Sequence, residues 1–266
     1  MQTRATVSVR YPVRTTPAAW VLPEGTVPEA PVHHAVAHRI TLLLEAWAAR
    51  QGRDLRVLRN LALRWLEEHP RTGIDPDVCV LDPPPPNLDE VASLCLWKPG
   101  HVPPTICFEV VSANHPYKDY SVLQDRYAAL GTHELVVFDP LLAGPASLGG
   151  PVSLQVWRRD LTGGFERIHF ESSPAYSETL DAWLIPDGRT LHLAQDRAGL
   201  RRWLTEAEYA QRDAERAQAN AERERANAER AQADAERAQA NAERERRERE
   251  DVERRLSELE SKLRGG

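Results

Sequence analysis

The chain has 266 residues, 41% of them hydrophobic, a formal net charge of −6 and three cysteines. That leaves room for one core of about 200 residues plus an extension and excludes a disulfide scaffold. It also weighs against indiscriminate nucleic-acid binding, which needs a basic excess. No run of about 18 apolar residues occurs and Met1 to Val13 lacks a signal-peptide core, so a cytoplasmic protein free of the membrane is expected.

Residues 1–30 hold many Pro, Thr and Val with no period and read as an extended lead-in. Pro31 sits where a first-turn proline is tolerated. Val36, Ile40, Leu43, Leu44 and Trp47 then recur at helical spacing up to Gln51, and Gly52 ends the helix. Glu45 on this helix reads as surface charge before it reads as a ligand. His34 and His38 have no matching Cys/His cluster downstream. Leu55 to Leu66 predicts two short strands in a hairpin with its turn near Asn60. Arg50, Arg53, Arg56, Arg59 and Arg64 form a basic cluster, read as solvated positions rather than a phosphate track. A strand from Asp75 to Leu81 follows, broken by the polyproline connector Pro83 to Pro86. Residues 87–100 read as a polar loop with a brief Leu94-Cys95-Leu96-Trp97 segment.

Pro104 to Ser112 is a second apolar strand, Lys118 to Leu130 has helical period, and Glu134 to Pro140 is a third strand. Segments 153–158, 165–170, 183–186 and 189–193 alternate, which predicts antiparallel strands extending the same sheet. Cys79, Cys95 and Cys107 lie in or beside apolar runs and read as reduced core residues.

From Leu200 a heptad of the form Ala-Glu-Arg-Ala-Gln-Ala-Asn takes over. Its first seam position runs through Leu200, Ala207, Ala214, Ala221, Ala228, Ala235, Ala242, Arg249, Leu256 and Leu263. Its second runs through Trp203, Ala210, Ala217, Glu224, Ala231, Ala238, Glu245, Val252 and Leu259. A sustained heptad of strong helix formers predicts a coiled-coil helix of ~95 Å over 199–266. Alanine buries little area, so Val252, Leu256, Leu259 and Leu263 are expected to drive self-association; a solvated single helix is the alternative.

Two acids stand out. Asp77 opens one apolar strand and Glu109 lies inside the next. A carboxylate in such a place must be paired, protonated or holding a metal. A pair of hard carboxylate oxygens suits Mg²⁺ (or Mn²⁺) and phosphodiester hydrolysis, provided the strands are neighbours. The structural alternative has Asp77 capping a turn and Glu109 paired with an arginine.

Pro76-Asp77-Val78, Phe108-Glu109-Val110-Val111-Ser112, Lys118-Asp119, Tyr127-Ala128-Ala129-Leu130-Gly131 and Val137-Phe138-Asp139-Pro140 together resemble the Uma2 family of restriction-endonuclease-like proteins. The likeness covers roughly residues 20–195, with Leu22-Pro23-Glu24 and His33-His34 fitting its lead-in. It implies an α/β, restriction-endonuclease-like mixed central sheet with flanking helices over 31–198, of the PD-(D/E)XK type. It further implies neighbouring strands for Asp77 and Glu109, the Val110 carbonyl as third metal ligand, and DNA as partner. The parent fold expects a lysine at position 111, which is Val, and relatives carry one at position 123, which is Leu. Gln124, Arg126 and Lys118 are the polar substitutes. Gln124 is about 100° round the helix from position 123, whereas Arg126 shares its face and Lys118 has a flexible stem. The expected function is a metal-dependent endonuclease with Asp77, Glu109 and either Lys118 or Arg126 as catalytic residues. The alternative is a degenerate relative that binds and oligomerises through its coiled coil. No Gly-rich phosphate loop or nucleophile elbow supports a small-molecule enzyme.

Overall fold

Helix α1 (Pro31–Gln51) buries Val36, Ile40, Leu43, Leu44 and Trp47 on one face, as the spacing requires. It ends at Gly52, whose φ of +63° is open to glycine. The computed structural model describes residues 31–264 apart from 53, 87 and 89–91; the lead-in expected at 1–30 lies outside the described residues.

Twelve strands follow among the described residues: β1 (Arg56–Leu58), β2 (Ala62–Arg64), β3 (Gly73–Ile74), β4 (Val78–Leu81), β5 (Ser93–Cys95), β6 (Ile106–Val110), β7 (Glu134–Phe138), β8 (Leu154–Arg159), β9 (Phe165–Glu171), β10 (Ala175–Ser177), β11 (Ala182–Asp187) and β12 (Thr190–Ala194). The central sheet has the order β1-β4-β6-β7-β8-β9. Its pairings are antiparallel except β6–β7. A parallel pair needs a crossover, and helices α2 (Pro116–Ser121) and α3 (Leu123–Leu130) supply it.

Side chains alternate between two cores. Val78, Val80, Ile106, Phe108, Val136 and Phe138 pack with α1 and with Leu184, Leu191 and Leu193. Cys79, Leu81, Cys107, Leu135 and Val137 pack with Leu123, Tyr127 and Leu130 of α3. A sheet covered on both faces accounts for the unbroken apolar runs. The mixed α/β architecture with a long C-terminal helix is the one expected.

Several local expectations change. Asn60 does turn the chain, with φ +52°, but β1 and β2 are no hairpin. β1 pairs with β4, while β2 pairs with β3 and, in parallel, with β5. Alternation reveals a strand and its buried face; it does not name the partner. Within the stretch read as a polar loop, β5 overlaps the brief segment expected at Leu94 to Trp97 and makes it a strand. Arg64 is 6% exposed rather than solvated, with its guanidinium 2.7 Å from Asp75. Strands β10–β12 form their own three-stranded sheet instead of extending the first. The helix expected over 118–130 is two helices that meet at Val122, whose φ of −118° lies well off the helical value.

Helix α4 (Glu206–Arg264) is 59 residues long, ~90 Å at 1.5 Å per residue. It starts later than the heptad suggested. Leu200 is in a loop, and Trp203 stacks on Trp47 at 5.8 Å within the first core, so neither belongs to a helical seam. The described residues divide after Glu206 into two compact units. Side chains from Asp213 to Ser261 are exposed along the helix. Among the described residues no helix is long and apolar enough to cross a membrane.

Candidate active site

Val78 pairs with Phe108 across the antiparallel β4–β6 ladder, so the same register sets Asp77 opposite Glu109 at the end of the sheet. Both side chains fall on the α3 face by alternation. Asp77 Oδ2 accepts the Val110 N–H at 2.6 Å and lies 3.1 Å from His33 Nε2 at the start of α1. Glu109 Oε1 accepts the Tyr127 hydroxyl at 2.5 Å. Asp77 Oδ1 and Glu109 Oε2 have no hydrogen-bond donor among the described residues.

Glu109 is 2% exposed. Burial, and then the Asp77 charge, push its carboxyl well above the usual range, against the pull of Lys118 and Tyr127. Burial alone would lower the Lys118 ammonium, but Glu109, Asp119 and Asp77 outweigh it and hold the group above its ordinary value. Asp119 sits with Oδ1 3.4 Å from Lys118 Nζ and Oδ2 on the Ser112 N–H at 3.3 Å. Burial raises its carboxyl, partly offset by Lys118. Burial and Glu109 likewise raise the Tyr127 phenol.

The cluster is thus three acids, one lysine, one tyrosine and one histidine. Of the residues singled out in the sequence, Asp77, Glu109, Val110 and Lys118 come together. Arg126 instead donates to the Gly73 carbonyl at 3.3 Å, and Lys118, not Arg126, is the main cation acting on Glu109. Gln124 donates to the Ser121 carbonyl at 2.8 Å. Val111 and Leu123 are each 1% exposed in the second core. Glu45 is exposed on α1. His33, Asp119 and Tyr127 gained no site role from the sequence. Asp119 follows Lys118 directly, which was the available signal. The reach of His33 depends on how α1 lies against β4, which no local pattern reports.

Among the described residues no three His, Cys, Asp or Glu side chains converge as a ready-made metal cluster. Asp77 and Glu109 each keep one carboxylate oxygen that accepts no hydrogen bond among the described residues, and oxygen of that kind is what Mg²⁺ takes as a ligand. Mg²⁺ is commonly held by one or two carboxylates and keeps its remaining positions for water and phosphate.

Residues 10–194 match the Uma2 family, described as "Putative restriction endonuclease". The fold and the match together define a nuclease-like class. The chain belongs to the Uma2 family. A solved structure described as a "putative nuclease belonging to DUF820 from Anabaena variabilis ATCC 29413" is similar over 58% of this chain and 76% of that one, at 13% identity and a TM-score of 0.41. That likeness is too slight to carry an argument. No curated protein matches the sequence.

Proposed function

We propose that this chain is a DNA endonuclease of the PD-(D/E)XK type, acting in the cytoplasm with Mg²⁺ or Mn²⁺ held by Asp77, Glu109 and the Val110 carbonyl. The bound cation would neutralise charge on the scissile phosphate and acidify a water. The observation that carries the reading is Lys118, whose ammonium pairs with buried Asp119 at 3.4 Å and is charge-coupled to Glu109 and Asp77. A cation there can stabilise negative charge developing on a phosphate, the task of the lysine absent from positions 111 and 123. Asp119 positions Lys118, Tyr127 fixes Glu109, and His33 with the Val110 N–H orients Asp77. The chemistry is assigned to residues 31–198. The heptad helix serves self-association with a second copy through Val252, Leu256 and Leu259.

The test is calorimetry with Mg²⁺ and Mn²⁺ beside a plasmid-nicking assay. Wild type is expected to bind and nick. Asp77→Ala and Glu109→Ala should abolish both. Lys118→Ala should lower nicking by roughly 10²–10³-fold while keeping metal, and Arg126→Ala should change neither. Binding without nicking in the wild type would favour the second reading, a degenerate relative acting through binding. The apolar burial of Val111 and Leu123 at both usual lysine positions speaks for that alternative. No metal binding at all would sink the nuclease proposal.

A further inference from the structure

The seam of α4 carries three charges, Glu224, Glu245 and Arg249, and the last two lie beside its apolar end. Glu245 and Arg249 stand one heptad after Ala238 and Ala242, and Val252, Leu256 and Leu259 continue the same face. Those three apolar side chains are 57%, 55% and 58% exposed, an unusual cost for a soluble helix. Two of the arginines flanking this stretch are paired along the helix. Arg246 Nε lies 3.1 Å from Glu250, and an Arg254 nitrogen lies 3.0 Å from Asp251. Glu245 and Arg249 have no such partner among the described residues.

We propose that α4 pairs with α4 of a second copy in antiparallel orientation, in the register that sets Glu245 of each chain against Arg249 of the other. This rests on the self-association stated under the proposed function and adds its direction and register. In an antiparallel pair the first seam position of one helix faces the second seam position of its partner. Fixing Glu245 on Arg249 then fixes every other layer. Val252 meets Ala242, Leu256 meets Ala238, and Leu259 meets Ala235. Each of these layers sets a large side chain on an alanine, so the helix axes can stay evenly spaced along the overlap. Glu245 and Arg249 each find a counter-charge, once on each side of the dyad.

The in-register parallel pair does the opposite. It stacks Glu245 on Glu245 and Arg249 on Arg249, and like charges in a seam are strongly disfavoured. It also sets leucine on leucine at one end and alanine on alanine in the middle, which forces the axes apart and then together. The antiparallel register has one unfavourable feature: Arg246 and Glu248 each approach their own copy beside the dyad. Both are exposed and Arg246 is already held by Glu250, so screening keeps that repulsion small.

The test uses the full chain at concentrations where sedimentation shows a dimer, with Ala238→Cys and Leu256→Cys introduced singly; the three native thiols are buried. Under mild oxidation a mixture of the two variants should give a disulfide-linked dimer, and either variant alone should give none. Glu245→Arg or Arg249→Glu alone should weaken the dimer at least roughly tenfold, and the double variant should restore it. A Leu256→Cys chain that links to itself would show a parallel pair, overturning the orientation while leaving self-association standing. Linking of Leu256→Cys to Leu259→Cys instead would overturn the register. A chain that sediments as a monomer at every concentration would remove both the register and the self-association it rests on.

Discussion

Glu109 is a carboxyl kept where ionisation is unfavourable. Its buried position beside Asp77 raises it, and Lys118 and Tyr127 return only part of that. An acid raised in the folded state favours folding most when protonated. Its contribution is fully present below the unfolded value of about 4.3 and is lost as pH rises through the folded one. Glu109→Gln is therefore expected to stabilise the metal-free protein at pH 7 by a few degrees in melting temperature, about 1 kcal/mol for a domain of this size. The same substitution should abolish nicking. The stabilisation should disappear when melting is repeated near pH 4; a gain that is constant with pH would mean the glutamine acts by packing. The sequence made Asp77 and Glu109 legible because acids interrupt apolar runs. It left Lys118 and Arg126 equal, since their difference is one of direction: one ammonium faces the acids, whereas the other side chain faces the Gly73 carbonyl.

Strands were readable as elements and less so as partners. The runs at β4, β6 and β7 are continuous because both faces of the sheet are covered, which a linear sequence can show. That β1 and β2 part company, and that β10–β12 form a second sheet, depends on contacts between distant residues. One such contact pins the second sheet to the first. Glu134 on β7 is fully buried and accepts Arg158 at 3.0 Å, the Ser177 hydroxyl at 2.7 Å and the Thr179 N–H at 3.1 Å. Arg158→Ala leaves that carboxylate without its cation in a dry site. The expected loss is about 3–5 kcal/mol in denaturant unfolding. Arg158→Ala with Glu134→Gln should recover much of it, because an amide in place of the carboxylate removes the uncompensated charge. An Arg158→Ala chain as stable as wild type would mean water reaches Glu134.

For the molecule as a whole, the sheet's second core encloses a chemical reporter. Cys79 and Cys107 face each other across the β4–β6 ladder, and all three thiols are buried. Burial pushes the Cys79 thiol up to about 12, so at neutral pH almost none of it is the reactive thiolate. Labelling by an alkylating reagent therefore has to wait for the sheet to separate beside the Asp77–Glu109 pair. Cys95 lies in the separate β3-β2-β5 sheet, so it is the rate at which Cys79 and Cys107 are consumed that becomes a clock for opening of the site. Mg²⁺ bound at the two carboxylates should slow that clock in the wild type and leave it unchanged in Asp77→Ala.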